Sequence, residues 1–388
     1  MADSSTVSYY PARALVDHAA IRANVERLRA VAGSAEVMAV VKADAYGHGI
    51  VPVSRTALAA GATWLGVAQL GEALELRAAG IDAPLLTWLY GPGAPLAEAL
   101  TARLDLSASA PWALEELAAA ARRTGRAARI HLKADTGMGR GGARPEAWEE
   151  LVDHAARLAA EGTVDVVGVW SHLARGDEPA EPTTTNQLAA FRDAVAVAER
   201  AGLRPAVRHL AASSGTLFHP DTHLDLVRPG IALYGLSPAP DVADAVALGL
   251  RAALRLEAEV IHVKDVPAGT PVGYGHTYAT PSPGRLALLP LGYGDGIPRH
   301  AGSAGPVRVG HHRARVAGRV SMDQVVVDLG PDGGDVSVGD VAVLLGDARD
   351  GVPTAQDWAD VTSTISYEIV TRLGSRIPRT HVSQEETP

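Results

Sequence analysis

Eight short runs rich in Val, Leu and Ile, each followed by a stretch of helical periodicity, fill roughly the first 235 residues of this 388-residue chain. They fall at 37–43, 63–69, 84–90, 103–107, 129–134, 165–171, 206–211 and 226–233. Apolar runs of this length belong to parallel strands covered on both faces. Eight strand–helix units predict an α/β fold, a (β/α)8 TIM-like barrel. The helices carry their own punctuation. One spans Asp17 to Ala32, with Asp17 as N-cap, Ile21, Val25 and Leu28 on one face, and Gly33 as the stop. A second runs from Pro111 to Arg123 and closes at Gly125, and a third from Thr184 to Ala201 closes at Gly202.

From about Leu250 the texture changes. Leu254, Leu256 and Val260 fit a period of two, and runs at 307–309, 315–316, 324–328 and 341–345 are separated by turn signals such as Pro331-Asp-Gly-Gly334. This predicts a smaller, mainly antiparallel β-domain, with the boundary near Ser237-Pro-Ala-Pro240. Tyr9 to Leu15 has no place in a barrel and is expected to pair into that second domain. The division reads 15–240 for the barrel and 1–14 plus 245–388 for the β-domain.

A net charge of −9 argues against nucleic acid or an anionic membrane as partner, and the absence of cysteine removes disulfides, thiolate nucleophiles and cysteine–zinc sites together. Met1 to Val7 lacks a basic start and an apolar core, and no apolar run reaches membrane-spanning length, so a cytoplasmic protein is expected. Val382 to Pro388 reads as a frayed tail.

Chemistry concentrates where barrel strands end. Lys42 closes the first run and is followed by a Gly47 and Gly49 turn, which puts an amine at the catalytic rim with its stem in an apolar wall. Such burial lowers an ammonium pKa and frees the amine for a Schiff base. By position alone, a solvated lysine capping a strand is an equal reading. Phosphate commonly binds after the seventh and eighth strands of such barrels. There the Ser213 hydroxyl and the amides near Gly230 and Ile231 are suitable donors. Gly137, Gly139 and Gly142 spell GxGxxG, but the next strand ends Trp170-Ser171-His172 without a ribose-binding acid, which excludes a dinucleotide site. His172 by itself reads as a hydrogen-bonded core histidine. His311-His312 invites a metal pair, but adjacent strand residues face opposite sides, so no metal is assigned.

The words around these residues carry more. Val40-Val-Lys-Ala-Asp-Ala-Tyr-Gly-His-Gly49 resembles the pyridoxal-phosphate lysine motif of alanine racemases, and seven separate motifs of that family recur here in order. Among them are Val227-Arg-Pro-Gly-Ile-Ala-Leu-Tyr-Gly235, His131-Leu-Lys-Ala-Asp-Thr-Gly-Met-Gly-Arg140, Gly292-Tyr-Gly-Asp-Gly296 and Gly318-Arg-Val-Ser-Met-Asp-Gln324. The resemblance implies a pyridoxal 5'-phosphate-dependent racemase of a small amino acid, most simply alanine. It also implies a head-to-tail homodimer with shared active sites. It makes Lys42 the Schiff-base lysine and one base, with Tyr274, entering from the partner subunit, as the other. Two bases on opposite faces are what inversion at Cα requires. It assigns the cofactor phosphate to Tyr46, Ser213, Gly230, Ile231 and Tyr367, and the pyridine nitrogen to Arg228. Arginine keeps its protons, so the ring stays neutral and is a poorer electron sink, which disfavours side reactions such as transamination. His172 is implied to link Arg228 to Tyr274. Deprotonating a phenol at pH 7 costs roughly 4 kcal/mol, which these neighbours and the cofactor help to offset. Lys133 is implied to be carbamylated and to orient Arg140, which contacts the phenol and the substrate carboxylate. Met322 is implied to offer its amide to that carboxylate, and Tyr293 to sit at the channel entrance.

Two positions depart from the pattern. Ala212 stands where asparagine is usual, and Arg175 where a small residue is usual, as a solvent-facing loop residue or as added charge near the channel mouth. They keep open a racemase of another small amino acid such as serine, or a non-catalytic cofactor-binding paralogue. A related decarboxylase would use a C-terminal cysteine and a carboxylate at the ring nitrogen, where this chain has no cysteine and offers Arg228.

Overall fold

A computed structural model describes residues 10–383; the chain start through residue 9 and the tail from 384 lie outside the described residues, and most of the expected frayed segment falls there. The chain separates into two compact units. One comprises Ile21–Ala45 and Gly49–Leu250, the other the residues up to Ala20, Tyr46–His48 and those from Arg251 onward.

Strand β1 (Ala12–Asp17) belongs to the second unit. The first unit is built on eight parallel strands: β2 (Glu36–Val40), β3 (Trp64–Gln69), β4 (Leu85–Leu89), β5 (Asp105–Ala108), β6 (Ala128–Lys133), β7 (Val164–Trp170), β8 (Val207–His209) and β9 (Leu226–Val227). They pair in chain order from β2 to β8, and β9 returns to β2 with Glu36 opposite Leu226. Between β8 and β9 no ladder forms. The gap is spanned by a bridge between Ala212 and Arg228 and by Arg228 N–H donating to the Ala211 carbonyl at 2.8 Å. The barrel is therefore nearly closed. Met38, Trp64, Leu86, Val167 and Leu226 cluster within this unit, with Trp88 and Val207 packed against them. Each such burial contributes about 1.5–3 kcal/mol.

All eight expected strands are present, and three stop two or more residues short: the seventh, expected to residue 211, ends at His209. The first stops at Val40, not residue 43, because Lys42 opens a turn. The eighth shrinks to two residues because Pro229 has no N–H for a ladder; a 3-10 turn, Ile231–Tyr234, follows. The helices fit their punctuation. His18–Ala32 is capped by the Asp17 carboxylate, which accepts from Ala19 and Ala20 N–H at 2.7 and 3.1 Å. Pro111–Thr124 ends at Gly125 in the left-handed region, φ 66°.

The second unit is a nine-stranded sheet. After β1 come β10 (Leu254–Glu259), β11 (His262–Val266), the short pair β12 (Pro271–Val272) and β13 (Tyr278–Ala279), then β14 (Gly284–Leu289), β15 (Pro306–Val309), β16 (His312–Val316), β17 (Val325–Gly330), β18 (Val341–Leu345) and β19 (Arg379–Val382). The sheet order is β11-β14-β17-β16-β15-β18-β10-β1-β19, with β12 and β13 forming their own two-stranded sheet. Every pairing is antiparallel except β1 with β19. The N-terminal strand does enter this sheet, against β10 with Ala14 opposite Leu256.

Candidate active site

Lys42 lies two residues past β2, at the start of a turn whose handedness is reversed. Ala43, Asp44, Ala45 and Tyr46 have φ of 53°, 52°, 53° and 54°, and Gly47 follows at 80°. Four consecutive non-glycine residues in the left-handed region store strain of roughly 1–2 kcal/mol each. The turn is tied down from its surroundings: Ala45 N–H donates to the Val41 carbonyl at 2.9 Å, Ala43 N–H to the Glu72 carboxylate at 2.6 Å, and Asp44 accepts from Ile50 N–H at 2.7 Å. The Lys42 amine is half-buried, 6.0 Å from the Trp88 ring centroid. Burial, and then the Arg140 charge, pull its ammonium below the ordinary lysine range against the opposing Glu72.

Arg228 is buried, 4% exposed, and among the described residues its guanidinium donates only to neutral acceptors: the Ser171 and Leu210 carbonyls at 2.8 and 3.1 Å, His209 Nδ1 at 3.2 Å and His172 Nδ1 at 3.4 Å. Burial pulls the group down to about 9. The same burial, with Arg228 and then Arg140, Lys133 and Lys42, lowers His172 to about 3, so its imidazole is neutral at pH 7. Trp170 forms a common floor. Lys133 Nζ lies 4.3 Å and Arg228 Cζ 5.0 Å from its ring centroid, and His209 stacks on it at 5.7 Å. Lys133 falls to about 8, through burial first and then Arg228 and Arg140, with Asp135 opposing. A sizeable fraction of its amine is therefore free near pH 8.

The loop after β6 explains its own glycines. The Asp135 carboxylate accepts from Gly137, Met138 and Gly139 N–H at 3.0, 3.0 and 3.1 Å, which folds the segment into a nest. These amides are spent on Asp135, so the GxGxxG spelling offers no phosphate cradle, in line with its rejection. Arg140 follows, exposed.

After β8, the Ser213 hydroxyl oxygen accepts from Gly230 and Ala232 N–H at 2.9 and 3.3 Å, with Ser213 only 3% exposed. Its own proton is left to donate outward. The Ile231 amide, first in its turn, has no acceptor among the described residues. A buried hydroxyl donor beside a first-turn amide fits a phosphate dianion. Ala212 contributes through its carbonyl, which accepts from Thr216 N–H and Oγ1, both at 2.8 Å, so that backbone role is indifferent to the missing amide side chain. Arg175 is held by Glu178 at 2.7 Å and Glu181 at 3.3 Å on an exposed loop, which neutralises its charge there.

In the second unit, the Tyr46 and Tyr367 rings lie 6.3 Å apart, and burial followed by Tyr367 pushes the Tyr46 phenol above its ordinary range. Tyr293 N–H donates to the Ser321 carbonyl at 3.0 Å and Gly294 N–H to that of Met322 at 2.8 Å. This joins the two expected substrate segments. Only glycine fits at 292, since a Cβ would stand 2.2 Å from the Ser321 oxygen. Tyr274, in a 3-10 turn between β12 and β13, is 70% exposed, and Met322 and Tyr293 are 54% and 42% exposed.

The histidine pair departs from the expected geometry. His311 lies in the turn before β16 and not on the strand, so it and His312 do share a side: their rings are 4.0 Å apart, and both face Asp335. Sequence reasoning also passed over Asp105, His131, His209 and Trp170 as groups around Arg228. Gln187, within the expected third helix, also lies here: its amide holds Thr136 Oγ1, the His172 carbonyl and Ala174 N–H at 3.1, 3.1 and 2.8 Å. For Asp105, His131 and His209 the available signal is a polar residue inside an otherwise apolar strand run.

Comparison with known proteins agrees across the chain. Family models described as alanine racemase, N-terminal domain, and alanine racemase, C-terminal domain, match residues 16–238 and 253–381. An alanine racemase of Beutenbergia cavernae is 63% identical over 96% of this chain and 98% of its own length. The crystal structure of alanine racemase from D-cycloserine-producing Streptomyces lavendulae superposes with a TM-score of 0.95 at 54% identity, over 97% of this chain and 98% of that one. That of alanine racemase from Bartonella henselae, with covalently bound pyridoxal phosphate, does so with 0.85 at 29% identity, over 96% and 100%.

Proposed function

Because the chain belongs to the alanine racemase family of isomerases, we propose that Lys42 and Tyr274 are the two bases with which it interconverts L- and D-alanine. Pyridoxal phosphate, when bound, supplies an aldehyde that condenses with amines and a conjugated ring that spreads the charge left on Cα when its proton is removed. The Ser213 hydroxyl and Ile231 amide hold its phosphate, assisted by Tyr46 and Tyr367, while Gly230 acts by donating its N–H to Ser213 and so orienting that hydroxyl. Arg228 donates to the ring nitrogen.

The observation that carries this reading is Arg228, a buried guanidinium whose acceptors are all neutral, with neutral His172 beside it. Such a group holds its proton while pointing a donor at a neutral ring. Lys42, its ammonium lowered by burial, takes or returns the α-proton on one face. Tyr274 serves the other face. Its exposure in one chain supports delivery by a partner subunit, so the working form is a homodimer with shared sites. Arg140, Met322 and Tyr293 receive the substrate carboxylate and guard entry. Lys133, with free amine near pH 8, is poised for carbamylation, and the resulting anion attracts Arg140 where the ammonium repels it. Among the described residues no helix is long and apolar enough to cross a membrane, and with a cysteine-free sequence this supports a cytoplasmic setting. Serine is the second substrate to try.

Two measurements test the reading. Circular dichroism of L-alanine with protein and pyridoxal phosphate decays to zero if racemisation occurs, and borohydride reduction attaches the cofactor to Lys42. A colourless, unlabelled protein would end it. Mixing K42A and Y274F chains tests sharing: half the random dimers are mixed and each owns one intact site, so about a quarter of wild-type activity returns only if the two bases come from different subunits.

A further inference from the structure

We propose that Asp105, at the far end of a buried hydrogen-bonded chain, is a positioning residue that sets the direction in which Arg228 donates; this rests on Arg228 facing the cofactor ring. The chain is continuous. Arg228 Nη1 meets His209 Nδ1 at 3.2 Å, His209 Nε2 meets His131 Nδ1 at 2.8 Å, and His131 Nε2 meets Asp105 Oδ2 at 3.3 Å. Both imidazoles are fully buried and Asp105 is 2% exposed.

Its polarity follows from one fact of chemistry: arginine has no acceptor. His209 Nδ1 must therefore accept, which puts its proton on Nε2. That proton is donated to His131 Nδ1, so the His131 proton sits on Nε2 and is donated to Asp105. Each tautomer is fixed by its neighbour, and the chain ends on a group that only accepts when ionised. Burial alone raises the Asp105 carboxyl, but hydrogen bonds from His131 and Arg129 reverse this and hold it below its ordinary range. Burial, with Arg228 and His131, keeps His209 neutral.

The surroundings are shaped for this chain. A Cβ at Gly168 would lie 2.4 Å from His131 Nδ1, so a side chain there is excluded. His209 is stacked on Trp170 at an interplanar angle of 1°, and Trp64 meets His131 edge-on at 5.6 Å. No carboxylate touches Arg228 among the described residues; Asp105 is its counter-charge at one remove, through two oriented rings.

Exchanging Asp105 for asparagine keeps the shape and adds a donor. An amide N–H offered to His131 Nε2 favours the opposite tautomer, which propagates until His209 Nδ1–H opposes the Arg228 N–H. The test is nitrogen-15 NMR of histidine-labelled holoenzyme together with steady-state kinetics. Wild type should show both rings protonated on Nε2. D105N should move at least one to Nδ1 and lower kcat at least about tenfold, with little change in KM, by analogy with a mis-set catalytic imidazole. R129A, which removes the ion pair but not the acceptor, should leave tautomers and kcat near wild type, and D105E should recover part of the loss. Unchanged tautomers in D105N, unchanged kcat despite switched tautomers, or an equal kcat loss in R129A would each overturn the proposal. Failure of borohydride to fix the cofactor to Lys42 would instead overturn the underlying reading.

Independently, we infer that His311, His312 and Asp335 bind a divalent transition metal such as zinc. Their three donor atoms lie within 4.8 Å of one another, with His312 Nε2 at 2.6 Å and His311 Nδ1 at 3.8 Å from the Asp335 oxygens. Ligands at about 2.0–2.1 Å around tetrahedral zinc stand roughly 3.3 Å apart, so these spacings bracket the requirement and a water completes the shell. A bound ion would tie the β15–β16 turn to the Gly333–Asp335 turn. Calorimetric titration of the full chain with zinc chloride should give one saturable site, lost in H312A and in D335N. Absence of saturable binding, or binding unaltered in both variants, overturns it.

Discussion

The two units carry their candidate chemistry in opposite ways. In the barrel, Lys42, Lys133, His172 and Arg228 are half-buried or buried and all have displaced pKa values. In the β-domain, Tyr274, Met322 and Tyr293 are largely exposed. Displaced protonation needs desolvation, and desolvation needs walls. The barrel supplies such walls to its own groups, whereas Tyr274, Met322 and Tyr293 stand largely in solvent.

The sharpest way to break that contrast is to remove one base from each side. K42A and Y274F should each lower racemase kcat by about a thousandfold or more, read by loss of circular dichroism of L-alanine. If Y274F stays within a few fold of wild type, the exposed tyrosine is a surface residue and the β-domain contributes no base. Smaller effects probe the walls. G168A drives a methyl against His131 and should cost about 1–3 kcal/mol of unfolding free energy, measured by denaturant titration. S213A deletes one buried donor and should weaken cofactor affinity about tenfold, an effect of 1–1.5 kcal/mol, read by absorbance titration with pyridoxal phosphate.

Acid titration gives the gentlest contrast. The lowered His172 value means its contribution is fully present above about 6.5 and shrinks as pH falls toward about 3, because the unfolded chain takes up the proton first. The lowered Asp105 value acts further down: its contribution is present above about 4 and is lost as pH falls through its folded pKa. An unfolding midpoint that is flat between pH 7 and 5 in wild type, or equally sloped in H172F, would contradict the first of these.

The alternation of apolar runs and helical stretches made the barrel legible, because burial on both faces leaves a pattern in composition. Lys42, Ser213 and Arg228 stand out as candidates because family words surround them. What stayed hidden depended on contacts across the barrel or on backbone handedness. Asp105 and His131 are ordinary polar letters until β5 and β6 bring them to 3.3 Å, and the β6–β7 stagger sets Gly168 opposite His131. The reversed turn after Lys42 has little compositional mark, since of its four non-glycine residues only Asp44 is of a type that favours positive φ, and Ala43, Ala45 and Tyr46 are poor choices for it. His311 was misjudged because one residue of difference in a hairpin end moves a side chain to the other face.

That reversed turn sets stability and turnover against each other at a single place. Glycine at 43 or 44 would relax the backbone by up to about 1 kcal/mol and raise the melting temperature. The same relaxation would slacken the tether of the Lys42 amine, the proposed nucleophile. A selection for heat resistance alone would therefore be drawn to these positions and would return a sturdier, slower catalyst.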